Sequence, residues 1–347
     1  MITNIKLTNF RKFKNLDLNI QSKLIVLHGN NAKGKSTVLE AIYLLTNGKS
    51  PWAISDEFIN TDQNMSEKFT RIEMTNNDKV YSLYKNAGTR VLKIDDQKVS
   101  PRKFFDQNAS TIFNPEQIEI LMISASARRK FLDEIISTVD YEYIETLTLF
   151  RKVLRQRNAY LKKLAKKFYD YGIVAINDVQ LNFWTAEFLR LSEIIQTERV
   201  RIIDEMYSDD IHIEYTKSNG DTSLADAIEN SKRRDIATGY TNIGPHRDDW
   251  QLINGKNIRQ FGSRGEKRIS IGKLVFKTQD VIKNRLDYYP ILLLDDIASE
   301  LDEENTKSIF NKKELDKQQT FITIIDKKDL PKAIIKDAQF IDLNNLG

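Results

Sequence analysis

Residues 29–36, Gly-Asn-Asn-Ala-Lys-Gly-Lys-Ser, follow the apolar run 24–28 and fit the spacing GxxxxGK[ST]. That spacing asks for a buried strand at 24–28, a phosphate-sized loop, and a helix from Lys35 to about Thr46. Backbone N–H groups at such a helix start form a nest, and the helix dipole favours an anion there. The candidate nucleotide contacts are Gly29, Asn30, Asn31, Ala32, Lys33, Gly34, Lys35, Ser36 and Thr37. In this reading Lys35 reaches the β/γ-phosphates and the Ser36 hydroxyl is a ligand for Mg²⁺. The competing reading is a Gly/Asn turn between strand and helix that binds nothing.

A second segment weakens that alternative. Residues 291–302 read Ile-Leu-Leu-Leu-Asp-Asp-Ile-Ala-Ser-Glu-Leu-Asp, just after Pro290. Four apolar residues in a row suit a central parallel strand covered on both faces. Two carboxylates at its end are costly to bury without a positive partner, and Mg²⁺ on a nucleotide is the natural one. Asp295 is expected to hold the metal and Asp296 to face the attacking water. Alone, the run also fits a strand followed by a solvated acidic turn.

At 347 residues, 40% apolar and 29% charged, the chain reads as a soluble globular protein long enough for two domains. It has no cysteine, which excludes disulfides and thiolate metal sites, and its three histidines are scattered. No apolar run approaches the ~20 residues of a membrane helix, and no secretory signal is visible, so a cytoplasmic location is the default expectation.

The net charge of +4 is modest, but positive charge is concentrated at 151–168, where Arg151, Lys152, Arg155, Arg157, Lys162, Lys163, Lys166 and Lys167 occur with no acid between them. Apolar residues recur there at helical spacing, giving an amphipathic helix with a basic remainder. Such a face is either simply solvated or contacts a phosphate backbone without reading bases.

The texture changes along the chain. Up to about residue 114 it is strand-like, with alternation at 79–84, a turn at 86–88 and a partner strand at 91–94. Helical periodicity then dominates 127–136, 142–169 and 177–206, with no proline between Pro115 and Pro245. The expected organisation is α/β: head residues 1–120, an inserted helical arm at 121–235, and the rest of the head at 236–347.

Several further segments are particular. Phe113-Asn114-Pro115-Glu116, Arg128-Arg129-Lys130-Phe131-Leu132-Asp133, Gln156-Arg157-Asn158-Ala159, Gly244-Pro245-His246-Arg247-Asp248-Asp249-Trp250 and Ser263-Arg264-Gly265-Glu266 stand in the order found in the bacterial RecF family of recombination mediator ATPases. The chain resembles that family over nearly its whole length, and more closely than it resembles ATP-binding-cassette heads and SMC-like proteins at large.

The resemblance implies an ABC-type P-loop ATPase head with an inserted helical lobe, active in recombinational DNA repair and replication. It implies a weak DNA-dependent ATPase that uses ATP and Mg²⁺, forms an ATP-dependent homodimer, and binds single-stranded or gapped duplex DNA. RecR- and RecO-type mediator proteins are the implied partners, and no membrane is. Carried over by position, Ser263 and Gly265 would meet the γ-phosphate held by the other subunit's P-loop, with Arg264 adding charge. The same triplet also fits an ordinary helix start in which Ser263 and Glu266 form a capping box. Arg11, in Asn9-Phe10-Arg11-Lys12, resembles the basic residue such heads place near phosphate. Residues 299–302 resemble the loop that communicates between paired sites.

Some positions depart from the pattern. Ala32 stands where such loops usually carry glycine, which is tolerable if that position does not need positive φ. Asp296 replaces the longer Glu common in cassette ATPases, so slow turnover is expected. Asp326 follows the expected strand 321–325 where cassette transporters place a histidine, and Gln117 is a weak candidate for the glutamine that such ATPases offer to Mg²⁺. His246 and Trp250 read as structural residues. Two other functions fit the motifs less fully: an ATP-binding recruitment module with incidental hydrolysis, and the ATPase subunit of a membrane transporter.

Overall fold

A computed structural model describes residues 1–52, 69–114, 122–172, 178–208, 212–296 and 312–344. It divides into two compact units, residues 1–118 with 271–347, and residues 119–270.

The first unit holds two sheets. Strands β1 (Ile2–Phe10) and β2 (Phe13–Asn19) form a hairpin, and β3 (Leu24–His28) leaves it to start a second sheet. Helix α1 (Lys35–Asn47) follows, then β4 (Phe69–Asn76), β5 (Lys79–Asn86), β6 (Arg90–Ile94), β7 (Gln97–Lys98), the short α2 (Pro101–Phe105) and β8 (Ser110–Phe113). The antiparallel sheet runs β2-β1-β4-β5-β6-β7. β4 alternates buried and half-buried residues along its whole length, as a strand with one covered face must.

The second unit contributes α3 (Ala125–Val139), α4 (Tyr141–Tyr171), α5 (Val179–Glu205), β9 (His212–Thr216), α6 (Leu224–Thr238), β10 (Asp249–Asn254), β11 (Lys256–Asn257) and α7 (Ile258–Phe261). Each of its main helices opens on a side-chain cap: Ser124, Asp140, Asp178 and Ser223 accept backbone N–H bonds at the starts of α3, α4, α5 and α6. Glycines in the left-handed region, Gly172 and Gly239, end α4 and α6. The unit continues through Ser270, past the boundary expected at 235, because β10 pairs with β9 within the three-stranded sheet β11-β10-β9.

Helix α8 (Arg264–Leu286) crosses the division, and β12 (Ile291–Leu294), α9 (Lys312–Leu315), β13 (Thr320–Ile324), α10 (Lys332–Ile335) and β14 (Gln339–Asp342) complete the first unit. Its second sheet is wholly parallel, β14-β3-β13-β12-β8, with Leu294 opposite Phe113 and Ile322. All four residues of β12 are buried, as the apolar run required. Val38, Leu39 and Ile42 of α1 join Ile25, Leu27, Leu293 and Phe321 in one core with side chains of the antiparallel sheet such as Leu7 and Ile72. This core fixes the carboxyl ends of β3, β12 and β13 side by side, which is where ligands bind in open α/β sheets.

Candidate functional site

The loop after β3 turns on residues with positive φ: Gly29 at 147°, Ala32 at 60° and Gly34 at 93°. Gly34 caps α1 without a side-chain bond, leaving the first backbone N–H groups of the helix directed at the loop. A Cβ on Gly34 would lie 2.5 Å from Phe13 Cζ, so both backbone conformation and space require glycine. The expectation for Ala32 is corrected. The position does adopt positive φ, at a cost of roughly 1 kcal/mol for a residue with a Cβ.

Lys35 is buried, and its ammonium donates to the carbonyls of Gly29 at 2.6 Å and Asn30 at 3.1 Å. Burial lowers its pKa, opposed by the nearby charges of Asp296 and Asp295. Its head thus lies across the mouth of the nest, where an arriving phosphate would exchange those carbonyl bonds for charge-assisted ones.

Asp295 directly follows β12 and is 7% exposed. Its Oδ1 accepts the Ser36 hydroxyl at 3.0 Å and the Thr323 hydroxyl at 2.7 Å. Burial raises its pKa, while the bonds from Thr323 and Ser36 pull the other way. Thr323 also accepts the Asp296 N–H at 2.8 Å, and Asp296 takes φ 48°. The structure therefore brings the loop serine and the strand aspartate together across 259 residues of sequence. Thr323 escaped the sequence reading; its only signal was a hydroxyl near the end of a strand that also carries Thr320. Gln117 and residues 299–302 lie outside the described residues.

Arg11 is bound to α1. Its guanidinium grips Glu40 of α1 in a two-point pair, Nε to Oε2 at 2.9 Å and a second nitrogen to Oε1 at 2.7 Å. The neighbouring Lys12 reaches the loop, donating to the Ala32 carbonyl at 2.6 Å.

In the second unit, Ser263 and Glu266 form the expected capping box: the Ser263 N–H donates to Glu266 Oε2 at 2.7 Å, and the Glu266 N–H donates to Ser263 Oγ at 3.2 Å. Lys256 joins Glu266 at 2.8 Å. These contacts, the Lys256 bond first, hold the Glu266 carboxyl down to about 2. Ser263 and Arg264 are exposed at the start of α8, with Gly265 half-buried beside them.

Of the basic run on α4, Arg151, Lys152, Arg155, Lys162, Lys163, Lys166 and Lys167 are exposed. Arg157 is the exception. It is fully buried, donating to Asp235 Oδ2 at 2.9 Å and to Thr241 Oγ1 at 2.6 Å. Breaking such a pair from one side costs about 3–5 kcal/mol, so Arg157 belongs to the packing of α4 rather than to its basic face.

Residues 244–250 are likewise a structural joint. Buried Asp248 accepts from Gln196 at 2.8 Å, the Tyr215 hydroxyl at 2.7 Å and the Ser218 N–H at 2.7 Å. Asp249 holds Arg128 at two points, both 2.7 Å, and the Trp250 indole donates to the Arg128 carbonyl. Arg199 spans Asp133 and the Pro245 carbonyl. His246 meets the Thr241 carbonyl at 3.1 Å, and burial pushes it down to about 4.

A P-loop after the central strand β3, with an aspartate from β12, two places away in the same parallel sheet, bonded to its serine and a helical unit inserted before β12, defines an ATPase head of the ATP-binding-cassette type. The family model for the RecF/RecN/SMC N-terminal domain matches residues 1–341. The DNA replication and repair protein RecF of Clostridium acetobutylicum is 32% identical, covering 99% of this chain and 98% of its own length. That of Clostridium kluyveri is 33% identical, at 96% and 95%. Among solved structures, the recombination mediator protein RecF of the RecFOR pathway superimposes with TM-score 0.81 at 28% identity in its ATPrS form, over 95% of this chain and 94% of that one. Its ATP form gives 0.78 at 27% identity, over 100% and 98%. The chain belongs to the RecF family. The SMC head domain of Pyrococcus furiosus, at TM-score 0.52 and 17% identity over 98% of this chain and 92% of that one, shares the fold.

Proposed function

We propose that this chain is an ATP-dependent DNA-binding protein of recombinational repair and replication. It binds ATP with Mg²⁺, pairs with a second copy around the nucleotide, and releases DNA after slow hydrolysis. The observation that carries the reading is the Ser36–Asp295 hydrogen bond at 3.0 Å, which joins the two halves of a phosphate-and-metal site.

The donor set fits Mg²⁺: a hydroxyl and a buried carboxylate are hard oxygen ligands, and Asp295 is otherwise a carboxylate whose charge burial penalises. Ser36 and Asp295 would hold the ion, which when bound neutralises charge on the phosphate oxygens. Lys35 binds the β/γ-phosphates, the amides of residues 31–37 cradle them, and Asp296 orients the attacking water. Asp296 is one methylene shorter than glutamate, which supports slow turnover and gives the alternative, a recruitment module with incidental hydrolysis, its one supporting observation. DNA-stimulated steady-state turnover separates the two.

Ser263, Arg264 and Gly265, at a helix start, would face the nucleotide of the second copy. The exposed basic face of α4 suits the phosphate backbone of single-stranded or gapped DNA without base selectivity, and the RecFOR pathway named for the solved relatives supports RecR- and RecO-type partners. The test is Lys35→Met. This variant loses ATP-induced dimerisation in light scattering, and unchanged dimerisation would refute the reading.

A further inference from the structure

The last described residue of the chain reaches back onto the nucleotide loop. β14 runs parallel to β3 with Asp342 opposite His28, and the Leu343 N–H continues the ladder to the His28 carbonyl at 2.9 Å. This register carries Asn344 to the start of the loop. Its Oδ1 accepts the Asn30 N–H at 3.0 Å, and its main-chain carbonyl accepts Lys33 Nζ at 3.3 Å. Its own N–H donates to Asp342 Oδ1 at 2.8 Å, which fixes the turn that delivers it.

Asn30 is thereby held at both ends. Its carbonyl already receives Lys35 Nζ at 3.1 Å and the Lys33 N–H at 3.3 Å, and Asn344 takes the N–H that these leave over. Gly29 makes the approach feasible, since a Cβ there would lie 3.1 Å from the same Oδ1 and the residue sits at φ 147°. The acceptor is also neutral. A carboxamide bolts the loop without placing negative charge beside a site built for a triphosphate.

We propose that Asn344 is a positioning residue for nucleotide binding: by fixing the Asn30 peptide it pre-organises the loop, so that less ordering is left to the moment of binding. The inference rests on the ATP-binding reading above. It is tested on the full chain by following hydrogen exchange at the Asn30 amide without nucleotide, and ATP affinity separately, in Asn344→Ala and Asn344→Asp.

The alanine variant exchanges faster at Asn30 and binds ATP roughly fivefold more weakly, the value of one ordinary hydrogen bond. The aspartate variant keeps the acceptor and restores slow exchange, yet still binds ATP weakly because its charge opposes the phosphates. Unchanged exchange or unchanged ATP affinity in Asn344→Ala would overturn the proposal, as would fast exchange in Asn344→Asp. Wild-type protein that fails to bind ATP would instead overturn the nucleotide reading, while the exchange comparison still decides whether Asn344 anchors the loop.

Discussion

Thr323 and Asp295 meet across neighbouring parallel strands, the hydroxyl donating to Oδ1 at 2.7 Å while its oxygen accepts the Asp296 N–H at 2.8 Å. One side chain thus orients both carboxylate residues at the end of β12, including the left-handed backbone of Asp296. Thr323→Val keeps the shape and removes both bonds. Turnover falls about tenfold, equivalent to about 1.4 kcal/mol, with little change in ATP affinity, and Thr323→Ser recovers most of it. Steady-state ATPase assays beside equilibrium ATP titration check this, and equal turnover in Val and wild type would remove the role.

Ala32 supplies a stability test within the loop. At φ 60° its Cβ is strained, so Ala32→Gly relieves up to about 1 kcal/mol, partly offset by the greater freedom of glycine in the unfolded chain. The expected outcome is a thermal midpoint equal to or a few degrees above wild type. A clear fall would show that the methyl group makes a contact worth more than the strain.

His246 makes stability depend on pH. It is held at about 4, first by burial and further by Arg247 and Arg129, against the Thr241 bond and Asp248, whereas in an unfolded chain it titrates near 6.5. The unfolded chain takes up the proton first. This contribution is therefore intact above about pH 6.5 and lost as pH falls toward 4, about 2 kcal/mol of it between pH 7 and pH 5. Denaturant melts at the two pH values measure it, and His246→Gln flattens the dependence if this residue is its source.

Ser263→Arg removes a helix cap, at a cost of about 1 kcal/mol, and fills the exposed start of α8 with a long cation. ATP binding is retained and ATP-dependent pairing is lost. ATP titration together with light scattering tests both halves, and normal pairing would contradict a role in trans.

On α4, replacing Lys163 and Lys166 with glutamine reduces the steepness of salt dependence in DNA binding, by up to about 0.9 in slope for each duplex phosphate that is no longer neutralised. A slope identical to wild type would take this face out of the DNA-binding surface.

The loop at 29–36, the strand at 291–294 and the long helices were legible in the sequence because each is a local pattern: a fixed glycine spacing, an unbroken apolar run, a 3.6-residue repeat. The basic character of α4 was legible for the same reason. What lay beyond reach was pairing between distant residues. Composition marks Arg157 as one more exposed cation, yet it is buried on Asp235. Nothing local says that Arg11, expected near phosphate, grips Glu40, or that Lys12 donates to the loop. The segments 128–133 and 244–250 stand out by resemblance, but nothing local says that Arg128 clasps Asp249, or that Asp133 and Pro245 share Arg199.

The sequence by itself determined which phosphate chemistry this protein carries, since backbone nests and strand-end carboxylates are written within a few consecutive residues. Only the tertiary structure decided that Ser36 meets Asp295, that Thr323 serves both aspartates, and that Asn344 closes on the loop. Those contacts depend on the order and register of parallel strands. That register is set by burial of both sheet faces, one of them in the core shared with α1 and the antiparallel sheet, a property of the folded chain that no single segment contains.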